Sequence, residues 1–199
     1  MTEFAFSGVG INPHYGTPGN PHDRNLIPGG SSSGAAVSVG DRMAVAALGT
    51  DTGGSVRIPA ALCGLAGFKP TKSRISCDGA IPLSTTLDSI GPLANSVECC
   101  AIVDAVFAGE PISVPEPVPL SGLRFGIPKQ FVMDELDPTV ASAFDRACKA
   151  LSAKGVKVEP VDLLDLHALG RQGLAGAIEG LGDHRVEFVH HELFGNAEA

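Results

Sequence analysis

Three short stretches decide how this chain reads: Pro28-Gly29-Gly30-Ser31-Ser32-Ser33-Gly34, then Gly49-Thr50-Asp51-Thr52-Gly53-Gly54-Ser55-Val56-Arg57-Ile58-Pro59-Ala60, then Gly67-Phe68-Lys69-Pro70-Thr71. In the second, Ser55 follows Thr52-Gly53-Gly54 and precedes a predicted helix. Glycines there let several backbone N–H groups converge without obstruction from side chains. Such a nest, next to a helix N-terminus, stabilises an anion, either a bound phosphate or the oxyanion of a tetrahedral intermediate. A serine beside the nest supplies a nucleophile and favours the second. That serine needs a proton acceptor. The cluster Ser31, Ser32 and Ser33, itself framed by glycines, is suited to relaying a proton. The elbow Gly-x-Ser-x-Gly is absent, because Arg57 stands where its last glycine belongs. Neither glycine loop ends in the Gly-Lys-Ser/Thr of a phosphate loop, and Gly8-Val9-Gly10 is followed by Pro13 in place of a third glycine. The residues alone leave two readings open: acyl-transfer chemistry, and a merely structural pair of glycine turns.

Outward from these stretches, the pattern alternates strands and helices. Residues 1–30 carry turn signals at Asn12-Pro13, Tyr15-Gly16, Thr17-Pro18-Gly19 and Pro28-Gly29-Gly30, an ordered loop wrapping a core. Residues 31–40 predict a short buried helix behind a serine cap. Residues 43–48 predict a buried strand ended by Gly49, and 49–55 a loop. Residues 56–65 predict a second helix with Pro59 in its first turn, and 65–68 a short strand. Residues 71–95 read as irregular, and 96–108 as a helix. Pro111, Pro115, Pro117 and Pro119 mark a stiff connector over 109–120. Residues 123–127 predict a strand. Asp137-Pro138 opens a helix to about Ala153, Gly155 ends it, and 156–161 predict another strand. Strand, helix, strand implies a parallel crossover. The acidic Asp134, Glu135 and Asp137 favour the N-terminus of that helix.

Composition narrows the function. The 199 residues are 44% hydrophobic and 18% charged, which suits a folded domain. The net charge of −8 argues against direct contact with nucleic acid or an anionic membrane. No apolar run is long enough to span a bilayer, and no signal peptide is visible. The five cysteines, Cys63, Cys77, Cys99, Cys100 and Cys148, contain no C-x-x-C and are odd in number. They suggest neither a disulfide framework nor a zinc site, and fit a reducing cytoplasm.

The three stretches together resemble the amidase signature family, whose enzymes hydrolyse amides with a Ser–cis-Ser–Lys triad. The resemblance runs from residue 1 to about 160 and is most specific over 28–71. It implies an α/β fold, a mixed β-sheet flanked by helices on both faces, present here in part. It implies a single partial domain: a signature core over 1–110, the Pro-rich connector over 111–120, a strand-helix-strand unit over 121–165 and a diverged tail over 166–199. By the family's pattern Ser55 is the nucleophile. Ser31, 24 residues earlier, is the bridging serine preceded by a cis peptide bond. The oxyanion hole resembles the backbone amides of Thr52, Gly53, Gly54 and Ser55. Ser32, Asp51 and Arg57 support the loop, the last two as an ion pair. Asp88 belongs to a segment near the substrate entrance and is read first as structural. No metal or organic cofactor is implied, and the partner is a small-molecule amide.

The chain departs from the pattern at the base. The family's catalytic lysine lies several dozen residues before the first serine, and none of the 30 residues before Ser31 is Lys. Lys69 sits in a motif that is structural in the family, and His14 and His22 have no counterpart in its chemistry. The expectation is therefore a central fragment of a longer chain, with amidase activity impaired and with association to itself or to a complementing fragment. Two alternatives stand beside it. One is the A subunit of the glutamyl-tRNA(Gln) amidotransferase, which shares the signature but resembles residues 3–27 less well. The other is a non-catalytic truncated remnant.

Overall fold

A computed structural model describes residues 1–114, 116–129 and 133–162. These fall into two compact units, divided in the proline-rich stretch at residues 115–116. The expected tail over 166–199 lies outside the described residues.

The first unit holds α1 (Ser33–Gly40), β1 (Ala46–Asp51), α2 (Arg57–Leu62), β2 (Ala66–Gly67), β3 (Ser89–Ala94) and α3 (Val97–Ala108). Its sheet has the order β1-β3-β2, with both pairings antiparallel. Ala46 pairs with Ala94 at one end of the β1–β3 ladder and Asp51 with Ser89 at the other. The core beneath it consists of Ala36, Val37, Val56, Ala60, Cys63 and Leu93, with Ala35 and Leu65 packed against it. Small residues dominate, and that lets the elements approach closely. Gly49 shows how closely: a Cβ there would lie 2.8 Å from Leu93 Cδ1, Ser32 Oγ and Val56 Cγ2.

Two strands differ from the sequence reading. The strand expected over 43–48 begins at Ala46 and runs through Gly49 to Asp51. Met43 and Val45 are exposed, so the apolar run is not the buried segment. Burial instead follows fit, and only glycine clears the floor at position 49. The second difference is β3, the central strand, which lies in the stretch read as irregular. Gly91-Pro92 has the look of a turn. Pro92 lacks an N–H for the ladder, yet its carbonyl accepts from Phe68 N–H at 3.1 Å.

Helix α3 starts where a cap predicts it, with Ser96 Oγ accepting from Cys99 N–H, and ends at Gly109 in the left-handed conformation. Ser32 stands at the N-cap of α1 but makes no capping bond. Its hydroxyl is used elsewhere.

The second unit holds β4 (Arg124–Pro128), α4 (Pro138–Ala153) and β5 (Lys157–Val161). The strands β4 and β5 pair in parallel, as a crossover through α4 requires. Asp137 caps α4 through Thr139 N–H at 2.8 Å, and Pro138 occupies the first turn. Among the described residues, no helix is long and apolar enough to cross a membrane.

Candidate active site

The site is assembled at the end of β1. Asp51, its last residue, is completely buried. Its carboxylate accepts from Gly54 N–H at 2.7 Å, Val56 N–H at 3.2 Å and Arg57 N–H at 3.4 Å. It also accepts from Arg57 Nε and Nη2, both at 3.0 Å. The 52–56 loop is thus wound around one anion. Burial alone pushes the Asp51 carboxyl up, but the forked Arg57 guanidinium and the N–H groups of Gly54 and Val56 outweigh it. The carboxyl ends below its ordinary value. Arg57 is correspondingly raised, first by its hydrogen bonds to Asp51.

The loop turns tightly at Gly54, where φ is +123°, a conformation that excludes side chains. Gly54 N–H is committed to Asp51, so the set of four expected oxyanion amides is reduced by one. The N–H groups of Thr52, Gly53 and Ser55 have no acceptor among the described residues. Helix α2 spans only six residues, so the free donors here belong to the loop, not to a helix terminus. Ser55 is half-buried, and its hydroxyl makes no hydrogen bond to the described residues.

The serine cluster lies against this loop. Ser32 N–H donates to Ser55 O at 3.2 Å. Ser32 Oγ donates to Thr50 O and accepts from Thr50 N–H, each at 3.3 Å. That two-way bond to β1 replaces the capping role. The Gly30–Ser31 peptide bond is cis. Ser31 is completely buried, and its Oγ has no partner among the described residues. Its segment is pinned from the N-terminal loop, with Gly30 N–H donating to Gly8 O at 2.8 Å and Thr2 N–H to Ser31 O at 3.1 Å.

A cavity of about 260 Å³ opens beside Ser55. The loop lines it with Thr52, Gly53 and Ser55, the N-terminal segment with Ala5, Phe6, Ser7 and Gly8, and Ile58 and Leu83 complete it. Among the described residues, no charged side chain lines it. Sequence reading did not single out the N-terminal lining residues or Leu83. They are joined to the loop only by folding, and no spacing announces them.

The other candidates lie elsewhere. Lys69 Nζ donates to Pro70 O at 2.9 Å and to Ser89 Oγ at 3.3 Å, with no bond to Ser31 or Ser55. His14 pairs with Glu3 on the surface at 3.3 Å. His22 Nε2 lies 3.0 Å from Cys63 O, a contact that ties a loop to the end of α2. Among the described residues no cluster of His, Cys, Asp or Glu is suited to a metal ion.

The chain and its fold have counterparts among known proteins. The family model described as Amidase matches residues 1–189. The chain is 40% identical over 198 residues to the 2-amino-5-chloromuconic acid deaminase of Comamonas testosteroni, covering 93% of this chain and 43% of that protein. It is 42% identical over 171 residues to the indoleacetamide hydrolase of Rhizobium radiobacter, covering 86% of this chain and 36% of that one. A crystal structure described as an amidase superposes with a TM-score of 0.75 at 42% identity, covering 82% of this chain and 37% of the other. The chain thus spans less than half the length of these relatives. A match over nearly all its residues, at this level of identity and with the same fold, is not produced by a shared glycine turn alone: the chain belongs to the amidase signature family.

Proposed function

We propose that this chain carries the nucleophile side of an amide-hydrolysing site. Ser55 Oγ attacks the amide carbonyl. The proton leaves Ser55 through Ser31 toward a lysine amine and returns to the departing amine nitrogen as the C–N bond breaks. Water then hydrolyses the Ser55 ester, releasing the carboxylic acid and restoring the hydroxyl. The free N–H groups of Thr52, Gly53 and Ser55 face the developing oxyanion, with Gly54 shaping the turn that presents them. Ser32, Asp51 and Arg57 hold the loop.

The observation that carries this reading is the unbonded Ser55 hydroxyl beside unspent loop N–H groups at the edge of the cavity. The unpartnered Ser31 hydroxyl supports it. A buried hydroxyl without a partner costs about 1–3 kcal/mol, so the position calls for a hydrogen-bonding group. Lys69 does not fill it, being held at Pro70 and Ser89. In this reading the lysine base is supplied from outside the described residues.

A small-molecule amide is the substrate, no metal or organic cofactor takes part, and the working environment is the reducing cytoplasm. The five thiols are all free, and Cys63 and Cys100 are buried. The exposed apolar side chains of the first unit support association with a second copy or with a complementing segment.

The test is labelling with an aryl fluorophosphonate, followed by peptide mass spectrometry. The adduct is expected on Ser55 and is expected to vanish in Ser55→Ala. In a preparation that turns over, Ser31→Ala is expected to slow labelling by about 10²–10⁴-fold, the usual size of a proton-transfer contribution. A preparation that turns over yet takes up no label at Ser55, or labels at another serine, overturns the assignment; a folded preparation with no turnover and no label favours the non-catalytic remnant.

A further inference from the structure

The ladder between β1 and β3 ends at the pair Asp51–Ser89. One step further, the same register brings Thr52 opposite Asp88. Thr52 Oγ1 donates to Asp88 Oδ1. The other oxygen, Asp88 Oδ2, accepts from Leu83 N–H at 2.8 Å and Ser84 N–H at 2.9 Å. Asp88 N–H in turn donates to Ser84 O at 3.1 Å, closing the 84–88 turn. Thr52 and Leu83 both line the cavity beside Ser55. One carboxylate therefore grips the loop that presents the free N–H groups and the turn that forms a wall of the substrate cavity.

We propose that Asp88 is a positioning residue that fixes the Thr52 end of the oxyanion loop and the Leu83 wall as one unit. The proposal rests on the reading of Ser55 as nucleophile. A carboxylate suits the task because it accepts in several directions at once and donates in none. Every group that faces it, the Thr52 hydroxyl and the two N–H groups, is able to donate. Burial pushes the Asp88 carboxyl up, but these donors and the nearby Lys72 ammonium hold it below its ordinary value, so it is ionised throughout the neutral range. A residue that merely closed the 84–88 turn would have no need of Thr52. The Thr52 link is what makes the grip two-sided.

The experiment measures amide hydrogen exchange on the 199-residue chain and fluorophosphonate inactivation in a preparation that turns over, comparing Asp88→Ala, Asp88→Asn and Thr52→Val with the parent. Asp88→Ala is expected to speed exchange about tenfold both at Gly54 and Val56 and at Leu83 and Ser84, the size that loss of one charged hydrogen bond gives. Thr52→Val, which keeps the shape and removes the hydroxyl, is expected to speed exchange at Gly54 and Val56 only. Asp88→Asn is expected to return both segments toward the parent rates, because the amide oxygen accepts from the turn while its NH₂ donates to the Thr52 hydroxyl. The inactivation rate is expected to fall in Asp88→Ala and Thr52→Val without further loss in the double variant, and probe affinity is expected to fall only in Asp88→Ala. Faster exchange in the 83–84 turn alone would overturn the proposal and leave Asp88 a turn residue. If Asp88→Ala also loses protection in α3, it has unfolded, and Thr52→Val decides by the same criterion. Exchange behaving as expected, with no label at Ser55 in a preparation that turns over, would instead count against the function assigned to Ser55, so the two failures are separable.

Discussion

At the scale of single residues, Asp51 does the most. Five donors converge on it, three of them main-chain N–H groups of the loop that carries Ser55. Asp51→Asn removes the charge and turns an NH₂ toward donors that have no lone pair to offer. The expected destabilisation is about 1–3 kcal/mol, the cost of leaving buried donors unmatched, read from urea unfolding. Because folding lowers the Asp51 carboxyl, its stabilisation is fully present above the unfolded carboxylate range near pH ~4 and is lost as pH falls through the lower folded value. The parent chain is therefore expected to lose stability below about pH 4, and Asp51→Asn to flatten that acid limb. A limb unchanged in the variant would assign acid sensitivity elsewhere. Opposite charges six residues apart around a glycine loop made the Asp51–Arg57 pair legible in the sequence. The main-chain donors to Asp51 were not, because any residue type supplies an N–H. Nor was the grip of Asp88 on Thr52, whose partners are 36 residues apart and meet only through strand pairing.

At the scale of elements, legibility followed local chemistry. Ser96 and Asp137-Pro138 announced α3 and α4 because caps act within one turn of chain. The central strand β3 was hidden because Gly91-Pro92 obeys a non-local demand. A Cβ at Gly91 would lie 2.1 Å from Phe68 O, so the glycine exists for the neighbouring segment and not for a turn. The same non-local fit shifted β1 from the apolar run to the residues small enough to pass over Leu93. Leu93 itself is completely buried and is the largest apolar side chain in that core. Leu93→Ala is expected to destabilise the first unit by about 2–5 kcal/mol. Denaturant unfolding followed by exchange at α1 and β1 checks this, with α4 as the internal control. An effect below the range would mean that the surrounding small residues collapse onto the gap.

At the scale of the whole molecule, the described surface of the first unit is rich in large apolar groups. Phe4, Phe6, Met43, Val45 and Ile81 are each more than three-quarters exposed. Among the described residues, strands β1 and β2 are the edges of a three-stranded sheet. Exposed apolar groups of this number and open sheet edges favour association. Sedimentation velocity of the 199-residue chain is expected to show species heavier than 20.3 kDa, shrinking on dilution. A single species of that mass at all concentrations would refute the association. The family and its fold were legible because the signature stretches are contiguous. The cavity was not, because its lining comes from three separated segments.

The pair of hydrogen bonds between Ser32 and Thr50, with the main-chain bond from Ser32 to Ser55, has a consequence in polymer terms. They span 18 residues in the first case, and the loop they close holds α1 and most of β1. Closing a loop of that size costs roughly (3/2)RT ln n, about 2.6 kcal/mol, and lengthening it would add little. The two serines therefore meet through low contact order, within one short span of chain. Short closures of this kind carry a small entropic cost, so the Ser32–Thr50 link ties α1 to β1 within one span of chain, whereas the pairing of β1 with β3 closes a longer one.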